Sequence, residues 1–213
     1  MSSTLLHQIT KSRPKGRIVI ISSPSGGGKT SICRALLTPA HRRQGWTFSV
    51  SYTTRSRRRG ERNGREYHFV TEAEFKKLVR ANFFAEHFKV HQYHYGTPRA
   101  PLEKVRRHGG VMLLDVDVQG ARRLRREYPE AAAIFVLPPS VSELRRRLKK
   151  RGTETNEQLR VRFATAREEM RNFRRYGFEY VVVNDRLSEA VRQVEAVITA
   201  HTCRVDKLNW EPV

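Results

Sequence analysis

Acidic residues are scarce in this chain. Its 213 residues carry 21 Asp and Glu against 42 Lys and Arg, which gives a formal net charge of +21. Such a positive field speeds encounters with anions and permits non-specific binding of nucleic acid, without requiring it. The arginines are dispersed, and no recognised RNA- or DNA-binding module frames them. We therefore interpret the charge as a solvated basic surface rather than as a nucleic-acid site.

Cysteine is almost absent as well. Cys33 and Cys203 are the only two, and they have neither metal-ligand spacing nor the density of a disulfide framework. A Cys-based zinc site and a disulfide-stapled fold are thereby excluded. Two isolated cysteines favour a reducing compartment, and we expect each to fill space in the core or on the surface.

Long apolar runs are missing too. Residues 18–21 and 111–114 form runs far shorter than the roughly 20 residues that cross a bilayer. The first residues lack the charge-then-apolar order of a signal peptide. We therefore expect a cytoplasmic protein without a membrane span, whose residues 1–16 form a flexible basic leader and whose residues 206–213 form a C-terminal tail.

A glycine-rich segment follows the first apolar run. Four aliphatic residues, 18–21, lead into Ser-Ser-Pro-Ser-Gly-Gly-Gly-Lys-Thr and then into a helix-compatible stretch, which is the strand, loop and helix order of a phosphate-binding loop. Glycines let backbone N–H groups approach a polyphosphate, lysine reaches the β- and γ-phosphates, and threonine is placed to bind Mg²⁺. Ser23 stands where the usual pattern has glycine. The predicted ATP-binding residues here are Ser23, Pro24, Ser25, Gly26, Gly27, Gly28, Lys29, Thr30 and Ser31.

A second apolar run ends in two acids. Residues 111–114 lead into Asp115 and Asp117, and acids at the carboxyl end of a central parallel strand lie beside a phosphate loop. The alternative is that such an acid caps the next helix. We favour the nucleotide-site interpretation for the pair.

The rest of the chain alternates between strand and helix patterns. We predict a basic connector over 39–45, a strand over 48–53, a hairpin at Asn63-Gly64, a capping-box helix from Thr71 to about 80, and strand and turn over 83–97. The histidines of that last stretch give little support for a metal site. Further along we expect strands at 131–137 and 180–185, basic helices around a break at 151–155, and a closing helix over 188–201. This order predicts an α/β fold with a mostly parallel sheet covered on both faces.

Several motifs together resemble the guanylate kinases over about residues 17–201. They are the phosphate loop and, in order, Ser51-Tyr-Thr-Thr-Arg55, Gly60-Glu-Arg-Asn-Gly-Arg-Glu-Tyr67, Tyr95-Gly-Thr97, Leu114-Asp-Val-Asp-Val-Gln-Gly120 and Arg151-Gly-Thr-Glu-Thr155. The resemblance implies a P-loop NTPase three-layer fold over residues 17–205. Its core would be 17–46, 99–139 and 171–205, with an inserted GMP-binding subdomain at 47–98 and a helical lid at 140–170.

The resemblance also implies an activity. It is ATP-dependent phosphorylation of GMP, with dGMP as a second acceptor, by direct in-line transfer from MgATP in purine metabolism and GMP recycling. The GMP-binding residues would be Ser51, Arg55, Arg58, Tyr67, Glu86, Tyr95, Thr97 and Asp115, with Glu86 and Asp115 reading guanine.

The remaining implied roles belong to catalysis, adenine and metal. The catalytic residues would be Lys29, Arg55, Arg147, Arg151 and Arg162. Asn184 lies where the family contacts adenine, while Thr30 and Asp117 would organise Mg²⁺. Guanidinium groups suit phosphate oxygens, and carboxylates accept from guanine N1–H and its amine, which adenine does not present as a donor pair.

Other functions stay open on the sequence alone. The scaffold proteins called membrane-associated guanylate kinases use this fold to bind peptides, although such domains typically lose the loop lysine that is present here as Lys29. A nucleoside monophosphate kinase with another acceptor and a nucleic-acid-binding role added to the enzyme are further alternatives. A homo-oligomer is compatible with the sequence.

Overall fold

The computed structural model describes residues 16–58, 60–90, 92–150 and 156–203. Most of the predicted leader, the tail at 206–213 and the motif with Arg151 lie outside these residues. The described strands are β1 (Gly16–Ser22), β2 (Trp46–Phe48), β3 (Tyr52–Thr53), β4 (His68–Phe69), β5 (Phe84–Val90), β6 (Tyr93–Pro98), β7 (Gly110–Asp115), β8 (Ala132–Leu137) and β9 (Tyr180–Val183).

Helices separate most of these strands. They are α1 (Lys29–Leu36), α2 (Pro39–Arg43), α3 (Glu72–Arg80), α4 (Arg99–His108), α5 (Val118–Glu127), α6 (Val141–Lys150), α7 (Asn156–Asn172), a 3₁₀ turn (Phe173–Tyr176) and α8 (Leu187–His201). No helix among the described residues has the length and apolarity to cross a bilayer.

The central sheet is entirely parallel, with the strand order β2-β7-β1-β8-β9. Side chains alternate between the faces of β1, so Val19 and Ile21 join the cluster formed with α1 and α8, whereas Ile18 and Ile20 join the cluster formed with α4 and α5. A strand buried on both faces reads as a continuous apolar run, which is what residues 18–21 are. The predicted three-layer α/β fold is confirmed.

A second sheet lies between β2 and α4 in the chain. Its strand order is β4-β3-β6-β5, and among the described residues none of its strands pairs with the central sheet. We call residues 49–98, which contain this sheet and α3, the arm. The arm packs on the core through β5, where the Phe88 ring approaches Gly120 of α5 so closely that a Cβ on Gly120 would collide with it.

Three local predictions differ from the structure. The predicted connector at 39–45 contains the short helix α2, because the Thr38 hydroxyl accepts from the backbone N–H of His41 and Pro39 suits the first helical position. The strand predicted over 48–53 is two strands in different sheets. Residues 47 and 48 consequently belong to the central sheet, although they were placed in the GMP-binding subdomain.

The hairpin at Asn63-Gly64 is also wrong. β4 pairs with β3 in parallel, whereas a hairpin requires antiparallel neighbours. The Asn63 side chain accepts from the backbone N–H of Phe69, and the Gly64 N–H donates to the Tyr67 carbonyl. These bonds close a compact loop before β4. The capping box at Thr71 and Glu74, by contrast, is confirmed in α3.

The helices α6 and α7 pack against each other through their own small cluster. Leu144, Leu148 and Ala166 are fully buried there, with Phe163 and Met170 at its edge. This pair occupies the region predicted as a lid, and α7 ends at Asn172, where the 3₁₀ turn begins.

The burial of two leucines predicts that replacing them by alanine will have very different effects on the free energy of unfolding. Leu124 on α5 is fully buried against the sheet, whereas Leu187 at the start of α8 is 44% exposed. Leu124→Ala should lower the free energy of unfolding by about 2–5 kcal/mol because it leaves a cavity. Leu187→Ala should change it by less than about 0.5 kcal/mol. Urea denaturation of both variants tests this, and equal effects would contradict the assignment of α5 to the core.

Candidate active site

The phosphate loop, residues 23–28, joins β1 to α1. Gly26 and Gly28 have φ of 91° and 97°, in the left-handed region that favours glycine, and the Gly27 N–H donates to the Pro24 carbonyl at 2.8 Å. Ser23 is accommodated in place of the usual glycine, and its buried hydroxyl donates to the Pro24 carbonyl at 3.0 Å. The loop therefore leads directly into the N-terminus of α1, whose free N–H groups favour an anion.

Asp115 meets the loop from the end of β7. The Thr30 hydroxyl donates to Asp115 Oδ2 at 2.5 Å, and the Lys29 ammonium lies 3.5 Å from Asp115 Oδ1. This contact follows from sheet register, since Asp115 pairs with Ile21 of β1 just before the loop begins. A hydroxyl and a carboxylate in contact form a pair of hard oxygen ligands of the kind that Mg²⁺ binds.

Side chains from the lid region and from the end of β9 cover the loop. Asn184 donates from its amide nitrogen to the Gly27 carbonyl at 2.9 Å, and a Cβ on Gly28 would collide with the same amide. Arg147 of α6 donates to the Asn184 carbonyl at 2.9 Å, and Arg162 of α7 donates to the Ser25 hydroxyl at 2.8 Å. Asn184, Arg147 and Arg162 are thus brought to the loop. Arg151 lies outside the described residues.

On the arm, Arg55 is held by an acid to which we assigned no role from the sequence. Its guanidinium makes two hydrogen bonds to Glu61, of 2.8 and 3.1 Å, and lies 5.6 Å from the centres of the Tyr67 and Phe69 rings. Glu61 also accepts from the backbone N–H of Arg58 at 2.7 Å. The pKa of Glu61 is lowered because its hydrogen bonds and charge contacts with Arg55 and Arg58 outweigh its partial burial.

Two tyrosines accompany Arg55. The rings of Tyr67 and Tyr95 meet edge to face with centres 6.0 Å apart, and Tyr95 also stacks on Phe88. Burial, with the negative charge of Asp115 added, raises the pKa of Tyr67 well above its ordinary value. Its hydroxyl therefore stays protonated and can donate a hydrogen bond. The Arg58 side chain is exposed, and Ser51 lies just before β3 with its carbonyl accepting from the His68 N–H.

Glu86 is the most unusual group of the arm. It is buried on β5 opposite Thr97 of β6, whose hydroxyl donates to Glu86 Oε1 at 2.6 Å. Its other oxygen, Oε2, is buried without a hydrogen-bond partner among the described residues. Burial and the charge of Asp117 together raise the pKa of Glu86 to about 7, against the Thr97 hydrogen bond that lowers it. A buried carboxylate oxygen without a partner is costly unless a ligand supplies the donor.

Asp117 interacts through its charge with both Glu86 and Lys29, whereas Asp115 contacts Lys29 and Thr30 directly. Asp117 caps α5 by accepting from the Gly120 N–H at 2.8 Å, so the helix-cap interpretation is confirmed for this acid. Burial raises the pKa of Asp117 above its ordinary value. The resemblance implies that Asp115 reads guanine and that Asp117 serves Mg²⁺, but it is Asp115 whose carboxylate contacts Thr30 and Lys29.

Sequence reasoning missed two acids of this region. Glu61 is part of the motif that runs from Gly60 to Tyr67. Its position six residues after Arg55 could have suggested an ion pair. Glu169 on α7 is half-buried, and burial, opposed by the charge of Lys29, raises its pKa to about 7. The signal for Glu169 was its position seven residues after Arg162, on the same face of a helix.

Two further groups of residues considered in the sequence analysis are Ser31 and the histidines. Ser31 is exposed on the first turn of α1. Among the described residues, His, Cys, Asp and Glu form no group of three or more that could hold a metal ion.

These elements define a P-loop protein of the α/β class, with a nucleotide site at the carboxyl ends of parallel strands and an arm and a helical pair around it. Comparisons with known proteins agree with this class and point to one family within it. The guanylate kinase family model matches residues 15–201. The guanylate kinase of Caldanaerobacter subterraneus subsp. tengcongensis is 42% identical over 195 residues, covering 92% of each chain. That of Symbiobacterium thermophilum is 43% identical over 192 residues, covering 90% of this chain and 89% of the relative.

A solved structure agrees with them. The crystal structure of guanylate kinase from Anaplasma phagocytophilum superposes with a TM-score of 0.75 at 30% identity and covers 92% of both chains. The chain belongs to the guanylate kinase family, which confirms the resemblance found in the sequence.

Glu86 predicts a pH-dependent stability. The folded protein keeps this proton up to about pH 7, whereas the unfolded chain releases it near 4.5. The contribution of Glu86 to stability is therefore complete below pH 4.5 and is lost as the pH rises through 7, by about 3 kcal/mol in total. Glu86→Gln keeps the acceptor for Thr97 and removes the ionisation. Relative to wild type, it should gain stability between pH 4.5 and 7.5 by that amount.

Urea unfolding of the ligand-free protein at several pH values measures this gain. Glu157→Gln, at an exposed position on the first turn of α7, serves as the control and should follow wild type. If the curves of Glu86→Gln and wild type ran parallel across this range, Glu86 would not be a buried carboxyl with a raised pKa.

Proposed function

We propose that the protein transfers the γ-phosphoryl group of ATP to GMP. Family membership supports the reaction. The observation that carries the choice of acceptor is the buried Glu86, whose Oε2 has no hydrogen-bond partner within the part of the chain that the structure describes. Guanine presents N1–H and an exocyclic amine as adjacent donors, which satisfy this oxygen. Adenine presents an acceptor at N1, so it would leave the buried carboxyl unpaired.

The neighbouring acid completes the base site. We assign Asp117, rather than Asp115, as the second carboxylate toward guanine, because its charge acts directly on Glu86. The Thr97 hydroxyl fixes the orientation of Glu86. Ser51, directly before β3, supplies a further hydroxyl. Two acids at the base edge with a hydroxyl orienting one of them form a site selective for a purine with donors on that edge.

The acceptor phosphate binds between the arm's cation and its phenols. Glu61 holds the Arg55 guanidinium beside Tyr67, and Arg58 follows in the same loop. Tyr67 and Tyr95 donate neutral hydrogen bonds, and the arginines supply charge-assisted ones. GMP would therefore be bound by both ends, which fixes its phosphate relative to the donor.

The donor triphosphate binds on the loop. Gly26, Gly27 and Gly28 bring the backbone close to it, Lys29 reaches its terminal phosphates, and Asn184 lies at the edge of the loop where adenine would bind. Mg²⁺ fits beside Thr30 and Asp115, whose oxygens are already in contact. When bound, the ion neutralises charge on the β- and γ-phosphates.

Transfer then requires positioning and charge stabilisation, not a covalent intermediate. The GMP phosphate is already an anionic nucleophile, so in-line attack needs no general base from this chain. Arg147 and Arg162 approach the loop from α6 and α7. Arg151, which lies outside the described residues, is included on the sequence resemblance. Together with Lys29 they would stabilise the transferring group, while closure of the arm and the lid excludes water.

The finer features of the activity follow from the same contacts. Recognition through base and phosphate leaves the ribose 2′-hydroxyl unread, so dGMP should serve as a second acceptor. Production of GDP from GMP suits the recycling of purine nucleotides. No nucleic acid takes part in this reaction.

The test is ADP formation from MgATP with each of five acceptors supplied separately: GMP, dGMP, AMP, CMP and UMP. Turnover should be rapid with GMP and dGMP only. Activity with another acceptor would keep the kinase and overturn the role of Glu86. The absence of turnover with any acceptor in folded protein would favour a peptide-binding module instead.

The proposed role of Lys29 predicts the effect of its substitution on kcat. Lys29→Ala should lower kcat with GMP by about 10²–10³, because a charge that stabilises the transferring phosphoryl group is removed. Lys76→Ala removes an exposed lysine of α3 that forms an ion pair with Glu72 on the same helix, and should leave kcat unchanged. Steady-state kinetics of both variants make the comparison, and near-normal turnover of Lys29→Ala would remove Lys29 from the mechanism.

A further inference from the structure

Arg34 of α1 forms an ion pair with the arm. Its guanidinium donates to Glu66 Oε1 at 2.9 Å, and Glu66 lies in the loop that leads into β4. The Arg34 side chain is 63% exposed, whereas that of Glu66 is only 11% exposed. The helix that follows the phosphate loop therefore contacts the arm through a carboxylate that is largely withdrawn from water.

Glu66 is fixed within its own loop. Its Oε2 accepts from the backbone N–H of Arg62 at 2.7 Å, and its Oε1 accepts from Arg65 Nε at 2.7 Å in addition to Arg34. The Glu66 backbone N–H donates to the Arg62 carbonyl at 3.3 Å. A carboxylate that is held at both oxygens keeps its orientation, so Arg34 meets a preformed acceptor. The ion pair consequently restrains the whole loop relative to α1.

The two ends of this contact belong to the donor and acceptor sides of the active site. Thr30, proposed above as a ligand of Mg²⁺, precedes Arg34 by four residues and lies on the same side of α1, about 6 Å away along the axis. Tyr67, proposed above as a donor to the acceptor phosphate, directly follows Glu66. The ion pair therefore links the helix at which the donor phosphates bind to the loop that holds the acceptor phosphate.

Other side-chain hydrogen bonds between the core and the arm lie at the opposite edge of the arm's sheet. Arg99 donates to the Phe84 carbonyl at 3.0 Å and Arg123 donates to the His87 carbonyl, and both carbonyls belong to β5. The sheet order β4-β3-β6-β5 places β5 at one edge and β4, which Glu66 precedes, at the other. An arm held along one edge can rotate about it, and a contact at the other edge restricts that rotation.

We propose that Arg34 and Glu66 are positioning residues for phosphoryl transfer, whose ion pair holds the β4 edge of the arm at α1 and so sets the acceptor phosphate in line with the donor. The catalytic part of this inference rests on the proposed function. The mechanical part, a restraint on the arm, holds whatever the acceptor is. Because the proposed ligands of GMP lie mostly within the arm, loss of the ion pair should affect the rate of transfer rather than the affinity for GMP.

The first measurement is the single-turnover rate of phosphoryl transfer with saturating MgATP and GMP, taken by rapid quenching. Arg34→Met keeps the aliphatic part of the side chain and should lower this rate about two- to fivefold, the scale of one partly exposed ion pair. The dissociation constant of GMP, measured by calorimetry, should stay that of wild type. Arg34→Lys keeps the charge and should restore most of the rate. Arg65→Met, which removes the other arginine on the same Glu66 oxygen, is the matched control and should transfer at the wild-type rate.

A double-mutant cycle tests whether Arg34 acts through Glu66. Glu66→Gln keeps an acceptor for the Arg62 N–H and removes the negative charge. Adding Arg34→Met to Glu66→Gln should lower the rate little further, because the same contact is already lost. Two effects that multiply would show that Arg34 acts on some other group, and the proposal would fail.

The second measurement reports the position of the arm without any substrate. Lys77→Cys on α3 and Gln193→Cys on α8, both at exposed positions, carry nitroxide labels in a Cys203→Ser background. Pulsed electron paramagnetic resonance then gives the distribution of distances between the arm and the core. Arg34→Met should broaden this distribution, whereas Arg65→Met should leave it unchanged.

Equal transfer rates and equal distance distributions in Arg34→Met, Arg65→Met and wild type would overturn the proposal. A broader distribution with an unchanged transfer rate would overturn it too, since the restraint would not position the acceptor. Weaker GMP binding together with a lower melting temperature in Arg34→Met would make the ion pair a contact of the fold alone. If no acceptor is phosphorylated, the proposed function fails, while the distance measurement still decides whether the ion pair holds the arm.

Discussion

The parallel pairing of β1 with β7 is the constraint on which the site depends. It sets Ile21 opposite Asp115, so the phosphate loop begins where the acid ends its strand. Thr30 and Lys29 then reach Asp115 within one turn of α1, and the Val116 N–H donates back to the Ile21 carbonyl. A shift of one residue in this register would turn Asp115 toward the opposite face of the sheet. The pairing of β1 with β7 thus fixes the distance between Asp115 and the start of α1, which the short side chains of Asp115 and Thr30 must bridge.

Acids are few in this chain. Several of them form ion pairs that orient cationic side chains, and one has a buried oxygen that a ligand could satisfy. Glu61 holds Arg55, Glu66 accepts from both Arg34 and Arg65, and Asp115 lies against Lys29. Each of these carboxylates fixes the geometry of a positive group that would otherwise be one of many mobile side chains. Glu86 differs because its second oxygen has no partner among the described residues. In a strongly positive protein, the placement of negative charge therefore carries much of the specificity.

How much the sequence predicted differs between the core and the arm. The strand and loop around Lys29 were predictable because an unbroken apolar run and a glycine-rich turn have one common structural solution. The second strand, over 48–53, was not, because nothing in its pattern shows that the chain leaves one sheet and enters another. Asn63-Gly64 misled for a related reason, since the asparagine side chain bonds to Phe69 N–H and replaces the expected hairpin bonds. Glu169 was overlooked because tertiary packing, not a local motif, brings α7 to the phosphate loop.

The separate sheet of the arm bears on how the molecule opens and folds. The arm is attached to the core by side-chain contacts such as Phe88 on Gly120 and by hydrogen bonds from the Arg99 and Arg123 side chains to carbonyls of β5. Backbone hydrogen bonds join it to the core at its two ends, from the Ser49 N–H to the Leu113 carbonyl and from the Arg99 N–H to the Phe83 carbonyl. Rotating the arm over the nucleotide site therefore leaves the strand pairing within its own sheet intact and bends the chain at its two ends. The two sheets should also lose their amide protection as two distinct cooperative units, with the small β3–β6 sheet exchanging its protons long before β1 and β7 do.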